Sequence, residues 1–258
     1  MFFYLYDAFV SEKKYEEELT KVENRLIELG INGRIEKMSI LRNAKELIED
    51  SIKKGSHTIV AVGDDSTLLK VINIVADHSV TIGFIPVAHN SKLAKIFGIT
   101  DGLEACNILS KRLIKKINLG RANQTYFVAS LTIAEPADVA IQCDEKYSIS
   151  LKEADSHLAI YNLGNFLEKV DEKNWQLFND KKYLHVVVTD QASGGLAKLF
   201  QKSSSPQKSV FPTKKIKISA DGKTVPVLLD EQITLKTPVV VSIKPKKISV
   251  IVGRERKI

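Results

Sequence analysis

The chain has 258 residues, 27% of them charged and 44% hydrophobic, enough for one large domain or two of ordinary size, with a real core. No apolar run approaches the roughly 20 residues that cross a bilayer, and the two cysteines, Cys106 and Cys143, match no metal or redox spacing. The net charge of +7 is uneven: residues 202–258 hold 13 basic and 4 acidic residues, whereas residues 126–201 hold 7 and 11. An anionic partner, such as a membrane surface, a lipid head group or a nucleic acid, would suit the C-terminal quarter; the plainer reading is a solvated basic face, because its lysines alternate with strand-forming residues and few aromatics are interleaved with them.

The opening "MFFYLYDAFV" is apolar, lacks a basic n-region and is interrupted by Asp7, so it reads as a first strand rather than a signal peptide. With reduced thiols this suggests a cytoplasmic protein. From Ser11 to Leu29, Tyr15, Leu19, Val22, Leu26 and Leu29 line one helical face. "RIEKMSI" is a short second strand. Asn43 and Glu46 form a capping-box pattern ahead of a helix ending near Gly55. A strand at Thr58–Val62, a helix, and a strand in "VTIGFIPV" follow. A helix is expected over Ser91–Phe97 and another over "LEACNILSKRLIKKI". Strands separated by helices imply parallel pairing with right-handed crossovers.

The pattern changes near Asn123. From there short β runs dominate: Ala137–Gln142, Tyr147–Leu151, Leu158–Leu163, Tyr183–Thr189, Lys215–Ser219, Val225–Leu229, Pro238–Ile243 and Ile248–Val252. "QKSSSPQKS" at 201–209 reads as a polar loop, and "NFLEKVDEKNWQLFNDKK" as a short helix with an irregular excursion. The expected organisation is α/β plus β: a three-layer α/β domain with a parallel sheet over 1–122 and an all-β, sandwich-like domain over 123–258.

The stretch "HTIVAVGDDSTLLK", residues 57–70, is strand, tight turn, helix. Such a corner aims backbone N–H groups and the positive end of a helix dipole at one point, which suits a phosphate. Gly63, Asp64, Asp65, Ser66 and Thr67 form it. Asp65 is the candidate metal ligand or proton acceptor, and Thr67 a hydroxyl donor. In the plainer reading, Ser66 or Asp65 is a helix N-cap and Asp64 an ordinary turn acid.

The order of these elements resembles the diacylglycerol kinase catalytic-domain family, whose fold is related to NAD kinases. That family carries Gly-Gly-Asp-Gly-Thr after a strand; here the frame reads Gly63-Asp64-Asp65-Ser66-Thr67. "GFIPVAHNSKLAKIFGI" keeps Pro86, Ala94, Gly98 and Ile99 of a second motif, with Ala88-His89 for Gly-Thr and Ser91-Lys92 for Asn-Asp. "KKINLGRANQTYFVASL" is similar to the family's crossing into the β domain, and "KKIKISADGKTVPVLLDEQI" to the segment closing with Asp-Gly-Glu, here Asp230-Glu231-Gln232. The resemblance implies a nucleotide site with Gly63, Asp64, Ser66, Thr67, His89 and Lys92. It also implies Asp65 with Glu231 or Asp230 as catalytic acids, ATP and Mg²⁺ as cofactors, and a lipid hydroxyl as acceptor.

The departures fall on chemistry. Asp7-Ala-Phe-Val-Ser11 stands for the family's Asn-Pro-x-x-Gly loop and adds an acid. Asp64 puts a carboxylate where a phosphate should lie; at about 4 Å and an effective dielectric near 20, two unit charges repel by roughly 4 kcal/mol. Lys92 replaces an acid, and can pair with Asp65 or reach a phosphate. Three functions stay open: an ATP-dependent lipid kinase, a pseudokinase binding nucleotide or lipid as a regulatory module, and, last, a basic nucleic-acid-binding protein.

Overall fold

A computed structural model describes residues 1–39, 42–87, 90–133, 139–150, 156–163, 182–190 and 208–258. The first part runs β1 (Phe2–Tyr6), α1 (Glu16–Glu28), β2 (Arg34–Lys37), α2 (Ala44–Lys53), β3 (Thr58–Gly63), α3 (Asp65–Val75), β4 (Thr81–Pro86), α4 (Lys92–Phe97), α5 (Gly102–Lys111) and β5 (Ile114–Ile117). The second runs β6 (Gly120–Ala122), β7 (Thr125–Phe127), β8 (Ser130–Ile133), β9 (Val139–Cys143), β10 (Tyr147–Ser150), β11 (Ser156–Tyr161), β12 (Leu184–Asp190), β13 (Lys208–Thr213), β14 (Lys215–Ala220), β15 (Pro226–Leu229), β16 (Ile233–Lys236) and β17 (Val239–Ile243). The closing strand is β18 (Ile248–Ile251). The chain divides into two compact units, Met1–Asn118 with Pro245–Ile258, and Leu119–Lys244.

In the first unit one sheet has the order β2-β1-β3-β4-β18-β5. Its neighbours are parallel except β18 and β5. β3 is buried at all six positions, as a central parallel strand covered on both faces must be. The helices obey their sequence signals: Asn43 caps α2 by accepting from the Glu46 amide at 3.0 Å, and Asp101 caps α5 by accepting from the Glu104 amide at 2.9 Å.

The expected helix over "LEACNILSKRLIKKI" stops at Lys111. Arg112 turns left-handed, φ +49°, and residues 114–117 become an edge strand. Ile248–Val252, read as part of the β domain, instead returns to the first sheet between β4 and β5. Ile248, Val250, Ile251 and Val252 are all buried, so nothing in their pattern names the sheet they join.

The second unit holds two six-stranded antiparallel sheets, β10-β9-β14-β17-β6-β7 and β13-β12-β11-β8-β15-β16. They share one core: Ile141, Ile216, Ile218 and Val241 of the first sheet cluster with Leu131, Ile160, Val186 and Val227 of the second. β6, β13 and β16 carried no clear signal, being short or flanked by polar residues. Trp175 and the segment "NFLEKVDEKNWQLFNDKK", save its last residue Lys182, lie outside the described residues. Among the described residues no helix is long and apolar enough to cross a membrane.

Candidate functional site

The corner between β3 and α3 forms as its spacing suggests, but with a different cap. Asp64 has extended backbone angles and is the N-cap of α3, in place of Ser66 or Asp65. Its Oδ1 accepts the Thr67 amide at 2.8 Å, and the Asp64 amide donates to Thr67 Oγ1 at 3.2 Å, a reciprocal capping box. The Thr67 hydroxyl lies 2.9 Å from Asp64 Oδ1 and 2.8 Å from Asp7 Oδ2, where β1 ends. With one proton, it donates to one carboxylate at a time. Lys70 Nζ, 3.7 Å from Asp7 Oδ2, balances part of this charge. Sequence reasoning missed Lys70; its place one turn beyond Thr67 on α3 was the available signal.

Gly63 has a local reason to be glycine. A Cβ there would press into the Thr67 side chain, 2.9 Å from its Cβ and closer still to Oγ1. The match to the family's first glycine is thus explained by packing against the buried Thr67, with no phosphate needed. Ser66 is half-buried in the first turn of α3.

Asp65 is 7% exposed and points away from its own helix end, toward the N-terminus of α4. Oδ1 accepts the Ser91 hydroxyl, while Oδ2 accepts the amides of Lys92 at 2.9 Å and Leu93 at 3.3 Å. Ser91 in turn accepts the Ala94 amide at 2.8 Å. Asp65 therefore supplies the negative charge that the α4 N-terminus attracts. Lys92 contributes its backbone N–H to this contact, and its side chain is exposed. His89 lies outside the described residues.

The second pair of candidate acids lies in the second unit. Asp230 and Glu231 have φ of +46° and +59°, and the Gln232 amide closes the turn onto the Leu229 carbonyl at 2.9 Å. This is the two-residue left-handed turn that joins β15 to β16. Asp230 is 7% exposed, and its carboxylate accepts three amides: Val128 at 2.6 Å, and Ala129 and Ser130 at 2.8 Å each. It anchors the chain between β7 and β8. Glu231 is exposed at the turn tip. Burial first, then the Glu231 carboxylate, raise the Tyr161 phenol above its ordinary range.

A family model, that of the diacylglycerol kinase catalytic domain, matches residues 2–122. The fold extends the likeness through the whole chain. A diacylglycerol kinase from Bacillus anthracis str. Sterne superposes with a TM-score of 0.74 at 17% identity, covering 98% of this chain and 97% of that one. An NAD kinase from Archaeoglobus fulgidus, in complex with ATP, superposes with a TM-score of 0.60 at 12% identity, covering 100% of this chain and 96% of that one. No curated protein sequence matches the chain.

The residues present at this corner fit ATP and Mg²⁺ poorly. An N-terminal amide of α3 and the Thr67 hydroxyl, the donors a phosphate would use, face the carboxylates of Asp64 and Asp7. Both oxygens of Asp65 are engaged by the α4 N-terminus. Among the described residues no three His, Cys, Asp or Glu side chains are grouped to hold a metal. What the corner does well is hold itself together: the chain's own carboxylates occupy its anion-seeking groups.

Proposed function

We propose that this protein is a non-catalytic member of the diacylglycerol kinase fold, a pseudokinase that acts as a binding or regulatory module. The observation that carries the reading is the Asp64 carboxylate on the Thr67 amide at 2.8 Å, in the position of the family's second glycine. A phosphate entering there meets a fixed negative charge and a side chain in place of open backbone. Met1–Asn118 with Pro245–Ile258 then carry a degenerate nucleotide corner, and Leu119–Lys244 the β part that meets a partner. The basic C-terminal quarter suggests an anionic membrane surface as that partner, and a cytoplasmic, membrane-peripheral location. A transfer assay with labelled ATP, Mg²⁺ and diacylglycerol in mixed micelles tests the reading: no labelled lipid should form.

A second reading keeps an ATP- and Mg²⁺-dependent lipid kinase, with Asp65 as metal ligand and Glu231 as base. It is favoured by the exposure of Glu231 on a turn held rigidly by Asp230. Labelled lipid that disappears in Glu231→Gln would establish it.

A further inference from the structure

The basic C-terminal quarter is not one surface. Its lysines at 214, 215 and 217 lie in the second unit, whereas Lys246, Lys247, Arg254, Arg256 and Lys257 belong to the first. In the second unit they meet a cation from elsewhere in the chain. Strand alternation turns Ile216 and Ile218 of β14 into the shared core and Lys215 and Lys217 outward. Across the sheet, Lys215 pairs with Ser242, Ser242 with Arg121, and Arg121 with Tyr126. Lys217 pairs with Gln142 on one side and Val240 on the other. Lys215 and Arg121 are two strands apart, about 10 Å, and Lys217 is about 7 Å along the strand from Lys215. Lys215, Lys217 and Arg121 are exposed, and the residues between them are small or uncharged. Among the described residues one acid, Glu145, reaches this face, in an exposed pair with Lys215 at 3.0 Å. Glu145, Lys215, Lys217, Gln142 and Val240 line a shallow groove of about 490 Å³.

We propose that this outer face of the β10-β9-β14-β17-β6-β7 sheet docks on an anionic lipid bilayer, with headgroup phosphates seated among Arg121, Lys215 and Lys217. The proposal rests on the membrane-partner reading above, and gives it a place. Charge complementarity selects the occupant. A protein partner would call for an apolar or aromatic centre, and Val240 is the one large exposed apolar side chain of this face among the described residues. A single-stranded nucleic acid would call for open aromatic platforms, but the half-buried Tyr126 ring has Lys244 Nζ over it, 5.7 Å from its centroid. A lipid surface asks only for spread cations on a flat face, each adding roughly fivefold to the affinity.

The test is cosedimentation of the full chain with phosphatidylglycerol–phosphatidylcholine vesicles and with pure phosphatidylcholine vesicles, at low and high salt. Wild type should bind the anionic vesicles, and lose binding as salt rises. Arg121→Glu with Lys217→Glu should lose about tenfold or more, while Lys115→Glu with Lys116→Glu, on the exposed edge strand β5 of the first unit, should bind as wild type does. Melting curves establish that the variants fold; should the reversed pair unfold, Arg121→Gln with Lys217→Gln replaces it, with a smaller loss expected. If wild type binds and the Arg121/Lys217 variants bind equally well, this face is wrong while the membrane reading stands. If wild type ignores anionic vesicles, both fall. Tighter binding to single-stranded RNA than to vesicles, lost in the same variants, would overturn the proposal in favour of nucleic acid.

Discussion

Asp64 and Thr67 cap each other: the Asp64 carboxylate accepts the Thr67 amide at 2.8 Å, and the Thr67 hydroxyl oxygen accepts the Asp64 amide at 3.2 Å. The exchange closes the turn that a phosphate would otherwise close. It also ties the function of the corner to its stability, which makes both measurable.

The tight fit of Gly63 against Thr67 should appear as coupling. Gly63→Ala is expected to cost about 1–3 kcal/mol in denaturant unfolding, because the added methyl has no room. In a Thr67→Ala background the same change should cost less, so the two changes will not add. Additive losses would mean that Thr67 is not what excludes the methyl.

Asp65 is expected to act as a structural anion. Asp65→Ala removes the acceptor for two α4 amides and the Ser91 hydroxyl, and should cost about 2–3 kcal/mol. Ser91→Ala, which removes the α4 N-cap, should cost about 1 kcal/mol. Neutral effects in urea titrations of both variants would count against this role.

Asp230 carries a larger structural load. Asp230→Ala leaves three buried amides without their acceptor and should cost about 3 kcal/mol or more. Asp230→Asn should cost less, since an amide oxygen still accepts and asparagine tolerates the left-handed backbone. Glu231→Gln, at the exposed tip, should leave stability within about 0.5 kcal/mol of wild type.

Alkaline pH should destabilise the fold. Burial pushes the Cys106 thiol up from 9.0 to about 11, and also raises the phenols of Tyr4 and Tyr6. Groups whose folded values are raised stabilise the protein fully below their unfolded values and lose that contribution as pH climbs. For Cys106 the loss spans about pH 9 to 11. Unfolding midpoints should therefore fall through that window, less steeply in Cys106→Ala. A flat profile there would mean that the thiol titrates as freely folded as unfolded.

Much of the architecture could be read from the sequence because local signals agreed with it. Asn43 and Asp101 sit where caps belong, and strand and helix periods alternate cleanly up to α5. What escaped was non-local. Arg112 ends α5 with no glycine to mark the stop, and β18 leaves the β unit for a sheet begun some 240 residues earlier. At the corner, the residue types pointed to the right turn, but their partners did not follow from spacing. Asp65 meets Ser91 across 26 residues, and Thr67 meets Asp7 across 60. Those long-range contacts separate a self-satisfied corner from an open one.

The most direct test of the central claim is ATP binding followed by calorimetry without divalent metal, comparing wild type with Asp64→Gly. The variant loses a carboxylate and a Cβ at the turn, while its helix loses only a few tenths of a kcal/mol of capping. The account predicts weak or no ATP binding to wild type and affinity at least about tenfold higher in Asp64→Gly, since removing like-charge repulsion contributes up to a few kcal/mol. Wild type that binds ATP well, with an affinity unchanged by Asp64→Gly, would contradict it.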